Sequence, residues 1–245
     1  MTQTTVRILD VPFIHTTHRA FIDTLVERTE TNQKTFVVTA NPEIVMHAQV
    51  DNEYKAILER ADYITADGIG IVKAAQLIGQ PLPERVSGYD IMMDLLKEAD
   101  ARKLKVFLLG ASETTNAQAA ERVRTDFPGI DLVGTQHGFF DWEDPSLAAR
   151  IQAAQPDFVF VALGFPRQEL WINQHLDQFT KGIFIGVGGS LDVLSGNVQR
   201  APEIWQKMNL EWFYRLVKQP SRWKRMLVLP QFALVMLRKR GQHKK

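Results

Sequence analysis

The 245-residue chain contains no cysteine, which excludes disulfide bonds, thiolate metal ligands and a cysteine nucleophile. It has no run of about 18 apolar residues, the length that a membrane-spanning helix needs. Its first 17 residues lack a basic start followed by an apolar stretch, so no secretion signal is expected. The sequence therefore predicts neither a secreted disulfide-rich domain nor an integral membrane protein.

Several motifs of nucleotide, hydrolase and metal chemistry are also missing. There is no G-x-x-x-x-G-K-[ST] phosphate loop, no G-x-S-x-G nucleophile elbow and no H-E-x-x-H zinc motif. No two aspartates are separated by a single residue, so the D-x-D arrangement with which many sugar-nucleotide enzymes hold a divalent metal is absent. The six histidines are scattered along the chain. We expect no metal site and no cofactor.

The formal net charge of +1 is an average over two unlike parts of the chain. Residues 196–245 contain 12 lysines or arginines but only two acids, Glu203 and Glu211. The preceding 195 residues carry 17 basic and 26 acidic side chains. The sequence thus predicts an acidic body, residues 1–195, and a basic appendage, residues 196–245, which favours an anionic partner.

Short apolar strands alternate with amphipathic helical stretches through the body. The predicted strands are residues 35–39, 62–65, 105–109, 130–133, 157–163 and 182–187. The predicted helical stretches are residues 43–60, 69–78, 88–102, 114–127, 145–154 and 168–178. Strands that are apolar throughout, alternating with helices, are typical of an α/β fold with a largely parallel sheet covered on both faces. After residue 195 no strand is predicted and the chain is expected to be helical.

Polar residues follow the predicted strands, at the edge of the sheet where open parallel sheets bind their ligands. Asp67 lies between a strand end and Gly68. It is suited to act as a general base in a partly dry cleft, where burial raises a carboxyl pKa, or to cap the helix that follows. Asn41, which precedes Pro42, is suited to cap a helix. Together these strand ends predict a cleft.

Arginines outside the predicted strands suggest how an anionic ligand is held. Arg85 lies in a loop punctuated by proline and glycine, where its guanidinium can pair with a phosphate or with a surface carboxylate. In the appendage, Arg215, Arg222 and Arg225 flank Pro220. A helix, a proline-marked break and a second helix would bring these three around a pyrophosphate, which the planar arginine fork binds well.

Residues 226–237 form an apolar stretch that is followed by three basic residues. About 12 residues are too few to cross a bilayer. The stretch is suited to lie in the interface of an anionic membrane, or to pack against the body as a core helix. Nucleic acid would also attract the positive charge, but no nucleic-acid motif accompanies it.

Six short segments, in this order and spacing, resemble the bacterial WecG/TagA/CpsF glycosyltransferase family over almost the full length of the chain. They are residues 39–43 (TANPE), 66–70 (ADGIG), 85–88 (RVSG), 164–169 (GFPRQE), 186–189 (GVGG) and the stretch 200–225. The resemblance implies a Rossmann-like catalytic domain with a C-terminal appendage. It also implies transfer of an N-acetylmannosamine-type sugar from a UDP donor to N-acetylglucosamine on a polyprenyl diphosphate such as undecaprenyl diphosphate.

The resemblance also implies roles for particular residues and for the surroundings of the enzyme. Asp67 would be the general base and the appendage arginines would close over the UDP diphosphate in place of a metal, in an inverting displacement. The residues implied to bind substrates are Thr39, Asn41, Arg85, Gln168, Arg215, Arg222 and Arg225. The enzyme would lie on the cytoplasmic face of the plasma membrane, without nucleic acid. Its oligomeric state is open at the level of the sequence, since the apolar tail could also pack on a second copy in a homo-oligomer when no membrane is present.

Two further questions stay open at the level of the sequence. The donor sugar is N-acetylmannosamine, its uronic acid or another hexose, for a teichoic acid linkage unit or a related cell-envelope polysaccharide. The alternative from a different class is a non-catalytic α/β nucleotide-binding protein that its basic tail tethers to a membrane or to nucleic acid.

Overall fold

A computed structural model describes residues 4–218, 220 and 223–242 of the chain. One predicted site residue, Arg222, lies outside the described residues. Arg215 lies on a described helix, but its side chain is outside the described part of the structure.

The centre of the body is a parallel sheet, preceded in the chain by a small antiparallel hairpin of β1 (Thr5–Ile8) and β2 (Val11–Ile14). The strands of the parallel sheet are β3 (Thr35–Ala40), β4 (Tyr63–Ala66), β5 (Lys105–Gly110), β6 (Asp131–Gln136), β7 (Phe158–Ala162) and β8 (Ile183–Gly186). Their order across the sheet is β4-β3-β8-β7-β5-β6. All neighbouring pairs are parallel, so the carboxyl ends of the strands meet at one edge.

Helices connect the strands and continue into the appendage. In the body they are α1 (His18–Glu30), α2 (Pro42–His47), α3 (Asn52–Arg60), α4 (Ile69–Leu77), α5 (Gly88–Arg102), α6 (Glu113–Asp126), α7 (Ser146–Ala154), α8 (Arg167–His175) and α9 (Ser190–Leu194). A 3₁₀ turn, Leu176–Gln178, extends α8. In the appendage they are α10 (Glu203–Lys207), α11 (Glu211–Lys218), α12 (Trp223–Met226) and α13 (Val228–Gln242).

Two apolar cores lie on the two faces of the parallel sheet, because successive strand side chains point in opposite directions. On β3, Phe36 and Val38 belong to one core, whereas Val37 between them belongs to the other. The first core also contains side chains of α2, α3, α4 and α8, and the second contains side chains of α1, α5, α6 and α9. The predicted α/β fold, with a parallel sheet covered by helices on both faces, is confirmed.

Two local predictions differ from the structure. The helix expected over residues 43–60 is two helices, because Asp51 accepts a hydrogen bond at Oδ1 from the backbone N–H of Tyr54 (2.9 Å) and so begins α3 anew. The hairpin of β1 and β2 was not predicted. Its strands have four residues each, and Pro12 in the second strand is an argument against a strand when only the sequence is read.

The long helix of the appendage, α13, packs against α2 and α4 of the body. Phe232 and Met236 are buried in the first core, whereas Leu234 and Leu237 are more than half exposed. One face of α13 therefore packs against the core, as one of the two predicted alternatives requires. The other face is exposed to solvent. The helices in the described part of the chain all fall short of the length and apolarity that a membrane span requires.

Candidate active site

The carboxyl ends of β3, β4, β7 and β8 open into a cavity of about 790 Å³. The loops after these strands form one wall, and α11, α12 and α13 of the appendage form the wall opposite. The predicted site residues that line it are Thr39, Asn41, Asp67, Arg85, Gln168 and Arg225. The structure thus brings six of the eight predicted residues together, at the edge of the sheet and in the size range typical of small-molecule sites.

Asp67 follows β4 and is held at the sheet edge by its backbone. Its N–H donates to the carbonyl of Ala40 at the end of β3, at 2.9 Å. The next residue, Gly68, has a φ of +133° and is the N-cap of α4, which begins without a capping hydrogen bond from a side chain. The alternative in which Asp67 caps this helix is therefore wrong. Its half-buried carboxylate lines the cavity instead.

Thr39 and Gln168 tie the strand-end loops to one another. The Thr39 hydroxyl donates to the carbonyl of Gly186 at 2.7 Å, and Gln168 Oε1 accepts from the N–H of Gly188 at 2.9 Å. Both side chains are buried at the back of the cavity. A Cβ on Gly186 would lie 2.5 Å from Gln168 Nε2, so only glycine leaves room for this contact. The two side chains fix the shape of the cavity at the end of β8.

Asn41 caps a helix at the edge of the cavity. Its Oδ1 accepts a hydrogen bond from the N–H of Ile44 at 3.1 Å and so caps α2, with Pro42 at the first helical position. The predicted cap is confirmed. The same residue also lines the cavity.

Glu169, beside Gln168, is fully buried under this wall of the cavity. Burial raises its pKa to about 7, and the hydrogen bond from Gln168 Nε2 to its Oε1 (2.7 Å) acts in the opposite direction. Since Gln168 donates to Glu169 and accepts from Gly188, the orientation of its amide is fixed from both ends.

Arg85 connects the body to the appendage. Its guanidinium donates to Glu211 Oε2 at 3.0 Å and to Asp90 Oδ2 at 3.3 Å. Burial disfavours the charged form, but the carboxylates of Asp67, Glu211 and Asp90 outweigh it and raise the pKa of Arg85 above its ordinary value. Of the two predicted alternatives, the structure shows the pairing with carboxylates, although one of the two partners, Glu211, lines the cavity and comes from the appendage.

Four residues outside the predicted site, namely Tyr89, Asp90, Arg200 and Glu211, complete this connection. Glu211 is 8% exposed although it lies in the basic appendage. Asp90 accepts at Oδ1 from Arg200 Nη2 at 2.7 Å, and the Arg200 guanidinium lies over the ring of Tyr89, 4.6 Å from its centroid. The one available sequence signal was that Glu211 is one of only two acids among 12 basic residues. An acid kept in such a segment is expected to have a specific partner.

Replacing Glu211 with glutamine tests whether this ion pair joins the appendage to the body. The variant keeps the shape of the side chain but leaves Arg85 with one carboxylate fewer, so the free energy of unfolding should fall by about 1–3 kcal/mol. Urea denaturation measures it without the ionic screening that guanidinium chloride would add. Glu59→Gln, at an exposed position on α3, is the control and should change stability by less than about 0.5 kcal/mol. Equal stability of the two variants would contradict the role of Glu211.

Of the three appendage arginines, the structure places the side chain of Arg225 at the cavity. Its Nε lies 2.8 Å from Glu43 Oε1, in the first turn of α2. Arg215 belongs to α11, and Arg222 is not among the described residues. The predicted helix, proline-marked break and second helix are confirmed by the bounds of α11 and α12 on either side of Pro220.

The acidic side chains at the cavity are dispersed rather than clustered. Over the described ranges, no group of three or more His, Asp or Glu side chains is placed to hold a metal ion. The site instead combines a half-buried carboxylate, neutral hydrogen-bonding side chains and the cations Arg85 and Arg225. Such a set of groups is suited to accept a proton and to neutralise an anion.

Known proteins resemble this chain in both the body and the appendage. The model of the glycosyl transferase WecG/TagA/CpsF family matches residues 6–245. Three similar proteins are each named N-acetylglucosaminyldiphosphoundecaprenol N-acetyl-beta-D-mannosaminyltransferase. The protein from Bacillus spizizenii is 45% identical over 207 residues, which are 84% of this chain and 80% of that protein.

The other two relatives match over still more of the chain. The protein from Bacillus subtilis is 40% identical over 240 residues, or 97% of this chain and 93% of that protein. The protein from Staphylococcus aureus is 40% identical over 230 residues, or 93% of this chain and 90% of that protein. With a family model that extends from the first hairpin through the appendage, this chain belongs to the WecG/TagA/CpsF family of glycosyltransferases.

Proposed function

We propose that this enzyme transfers N-acetylmannosamine from UDP-N-acetylmannosamine to the 4-hydroxyl of N-acetylglucosamine carried on undecaprenyl diphosphate. The observation that carries the proposal is that Asp67 of the body and Arg225 of the appendage line one cavity. The names of the three relatives supply the sugar and the lipid carrier. Membership in a family of transferases argues against the alternative of a non-catalytic nucleotide-binding protein.

In the proposed reaction, Asp67 accepts the proton of the acceptor hydroxyl. The hydroxyl oxygen then forms a bond to the anomeric carbon of the donor sugar, while the bond from that carbon to the β-phosphate oxygen of UDP breaks and its electron pair leaves with UDP. Attack and departure on opposite sides of the carbon invert its configuration. The reaction therefore needs one base and one group that stabilises the leaving diphosphate.

The arginines that line the cavity stabilise the leaving diphosphate. Arg225 lines the cavity from α12, and Arg85 lines it from the loop before α5. From the resemblance to the family, we propose that Arg215 and Arg222 bind the diphosphate as well. A guanidinium fork binds phosphate oxygens through two hydrogen bonds and keeps its charge at all physiological pH values. Stabilisation of the diphosphate by arginine takes the place of the metal that D-x-D enzymes use.

A donor screen tests the proposed substrate. The purified protein is incubated with a short-chain lipid-diphosphate N-acetylglucosamine and, separately, with the UDP derivatives of N-acetylmannosamine, N-acetylmannosaminuronic acid and N-acetylglucosamine. The highest kcat/KM is expected for the N-acetylmannosamine donor. A higher value for the uronic acid would reassign the donor, and turnover of none of the three would contradict the proposed function.

We further propose that the open face of the appendage lies on an anionic membrane at the inner surface of the cell. The appendage has exposed large apolar side chains from α11 to α13, namely Trp212, Phe213, Trp223, Leu227, Leu234 and Leu237. The surrounding lysines and arginines would attract anionic headgroups while the apolar side chains enter the interface. This placement brings the cavity to the bilayer in which a lipid-linked acceptor resides.

The exposed leucines offer a test of this surface that leaves the buried face of α13 intact. The double variant Leu227→Ser/Leu234→Ser should lower co-sedimentation with phosphatidylglycerol vesicles about tenfold, since it removes two side chains that each favour the interface. Val50→Ser, at an exposed valine of the body, is the matched control and should bind as the wild type does. Equal vesicle binding by the double variant would place the membrane contact elsewhere.

A further inference from the structure

The α4 side chains that line the cavity differ in polarity from one turn of the helix to the next. Ile69, Lys73 and Leu77 all line the cavity, and because they are four residues apart they share one face of the helix. At 1.5 Å per residue, Lys73 lies about 6 Å and Leu77 about 12 Å along the axis from Ile69. Asp67 immediately precedes this helix. The face thus presents, in order from Asp67, an apolar side chain, an ammonium group and a second apolar side chain.

The wall opposite this face of α4 is the inner side of α13. The α13 residues that line the cavity are apolar, namely Val228, Leu229, Phe232, Ala233, Met236 and Leu237. With Ala74 and Leu77 they form an apolar gap that is continuous with the polar space around Asp67. Leu237 at the outer end of the gap is 55% exposed, so the gap leads toward the open apolar face of the appendage.

We infer that the lipid-linked acceptor lies along α4, with its sugar at Asp67, its diphosphate at the ammonium of Lys73 and its first isoprenoid units between α4 and α13. The inference rests on the proposed function and adds to it a binding residue and a path for the lipid. The acceptor has three parts in the order sugar, diphosphate and hydrocarbon. The wall has a base, a cation and an apolar gap in the same order.

The other charged side chains of the cavity are compatible with a diphosphate at Lys73. Glu43 also lines the cavity, but its carboxylate is paired with Arg225 at 2.8 Å, which removes most of its repulsion toward a diphosphate. Lys73 is exposed to solvent on the cavity side, so its flexible stem can bring the ammonium to a phosphate oxygen. The isoprenoid chain gains by leaving water for the apolar gap, as hydrocarbon does in any apolar site.

Two acceptors that differ only in their hydrocarbon test the path of the lipid. They are N-acetylglucosamine diphosphate esterified to farnesyl or to methyl, assayed in detergent so that membrane binding plays no part. The wild type should have a lower KM for the farnesyl acceptor. Ala233→Phe fills the gap from α13 and should reduce this preference about tenfold, because the hydrocarbon loses its apolar contacts. Leu77→Ala removes apolar surface from the α4 side and should reduce the preference in the same direction.

Gln231→Phe is the matched control, since it enlarges an exposed residue of α13 that does not line the cavity, and it should keep the wild-type preference. Lys73→Gln should raise the KM of both acceptors about tenfold, the effect of one lost charge-assisted hydrogen bond, with the KM of the UDP donor unchanged. An unaltered farnesyl preference in folded Ala233→Phe and Leu77→Ala, or a raised donor KM in Lys73→Gln, would overturn the inference. An inactive wild type with both acceptors would overturn the proposed function as well.

Discussion

Replacing Asp67 with asparagine should reduce kcat by about 10²- to 10⁴-fold, the contribution that a positioned general base ordinarily makes. The asparagine amide has the same shape as the carboxylate but cannot accept the proton of the acceptor hydroxyl. Asparagine keeps the size of the side chain and the backbone hydrogen bond of residue 67, so the fold of this variant should stay intact. Affinity for UDP, measured by calorimetry, should therefore stay within about threefold of the wild type, a difference of less than 1 kcal/mol.

The matched control for this variant is Asp23→Asn, at an exposed aspartate of α1 that forms an ion pair with Arg19. It removes one carboxylate from the surface of the body and should leave kcat unchanged. Full turnover by Asp67→Asn would remove Asp67 from the mechanism. A loss of turnover accompanied by an equal loss of thermal stability would assign Asp67 a structural role instead.

Replacing Arg225 with alanine should weaken UDP binding about 10- to 100-fold, the range expected for one or two lost charge-assisted hydrogen bonds to a diphosphate. Isothermal calorimetry with UDP measures the effect directly. Arg60→Ala is a close control, because Arg60 is similarly exposed and also has one carboxylate partner at 2.8 Å, Asp177. It should bind UDP as the wild type does.

A double variant separates two reasons for weak binding by Arg225→Ala. Loss of Arg225 also frees the carboxylate of Glu43, which would then repel the diphosphate. Arg225→Ala/Glu43→Gln removes that repulsion. If Arg225 contacts the diphosphate itself, the double variant should bind UDP as weakly as the single one to within about threefold. Recovery of wild-type affinity would mean that Arg225 acts only by neutralising Glu43.

Much of the body could be predicted from the sequence because its signals are local. The strands are runs of buried apolar residues, and the bounds of α5, residues 88–102, follow from its cap at Ser87 and the left-handed Lys103 after its end. The hairpin of β1 and β2 and the break between α2 and α3 could not be predicted in the same way. The hairpin depends on two short strands whose local preference is weak, so tertiary packing decides it. The break has a local cause, the Asp51 cap, but the helical pattern of residues 43–60 continues across it.

The composition of the cavity could be predicted only in part. The residues at strand ends were found because all strand ends of a parallel sheet meet at one edge. The partners of Arg85 were not, because Glu211 is 126 positions away and only the packing of the appendage brings it near. The role of Asp67 as a cap was a valid alternative from the sequence, and the conformation of Gly68 decides against it.

The appendage shows why one sequence pattern allowed two interpretations. The apolar stretch predicted both a membrane contact and a core helix. In the structure Phe232 and Met236 point into the core, and Leu234 and Leu237 of the same helix are open. The pattern of apolar residues alone does not show which side of α13 is buried, since apolar side chains occur all around the helix. The position of α2 and α4 decides which of them are buried.

The measurement that tests the central claim most directly is the structure of the disaccharide product formed in the presence of EDTA. A base at Asp67 and cations at the diphosphate require a single displacement that needs no added metal. With UDP-α-N-acetylmannosamine and a short-chain lipid-diphosphate acceptor, the account predicts undiminished turnover under chelation. NMR should show a β-linked N-acetylmannosamine at the 4-position of the N-acetylglucosamine. An α-linked product, or turnover that returns only when a divalent metal is restored, would contradict it.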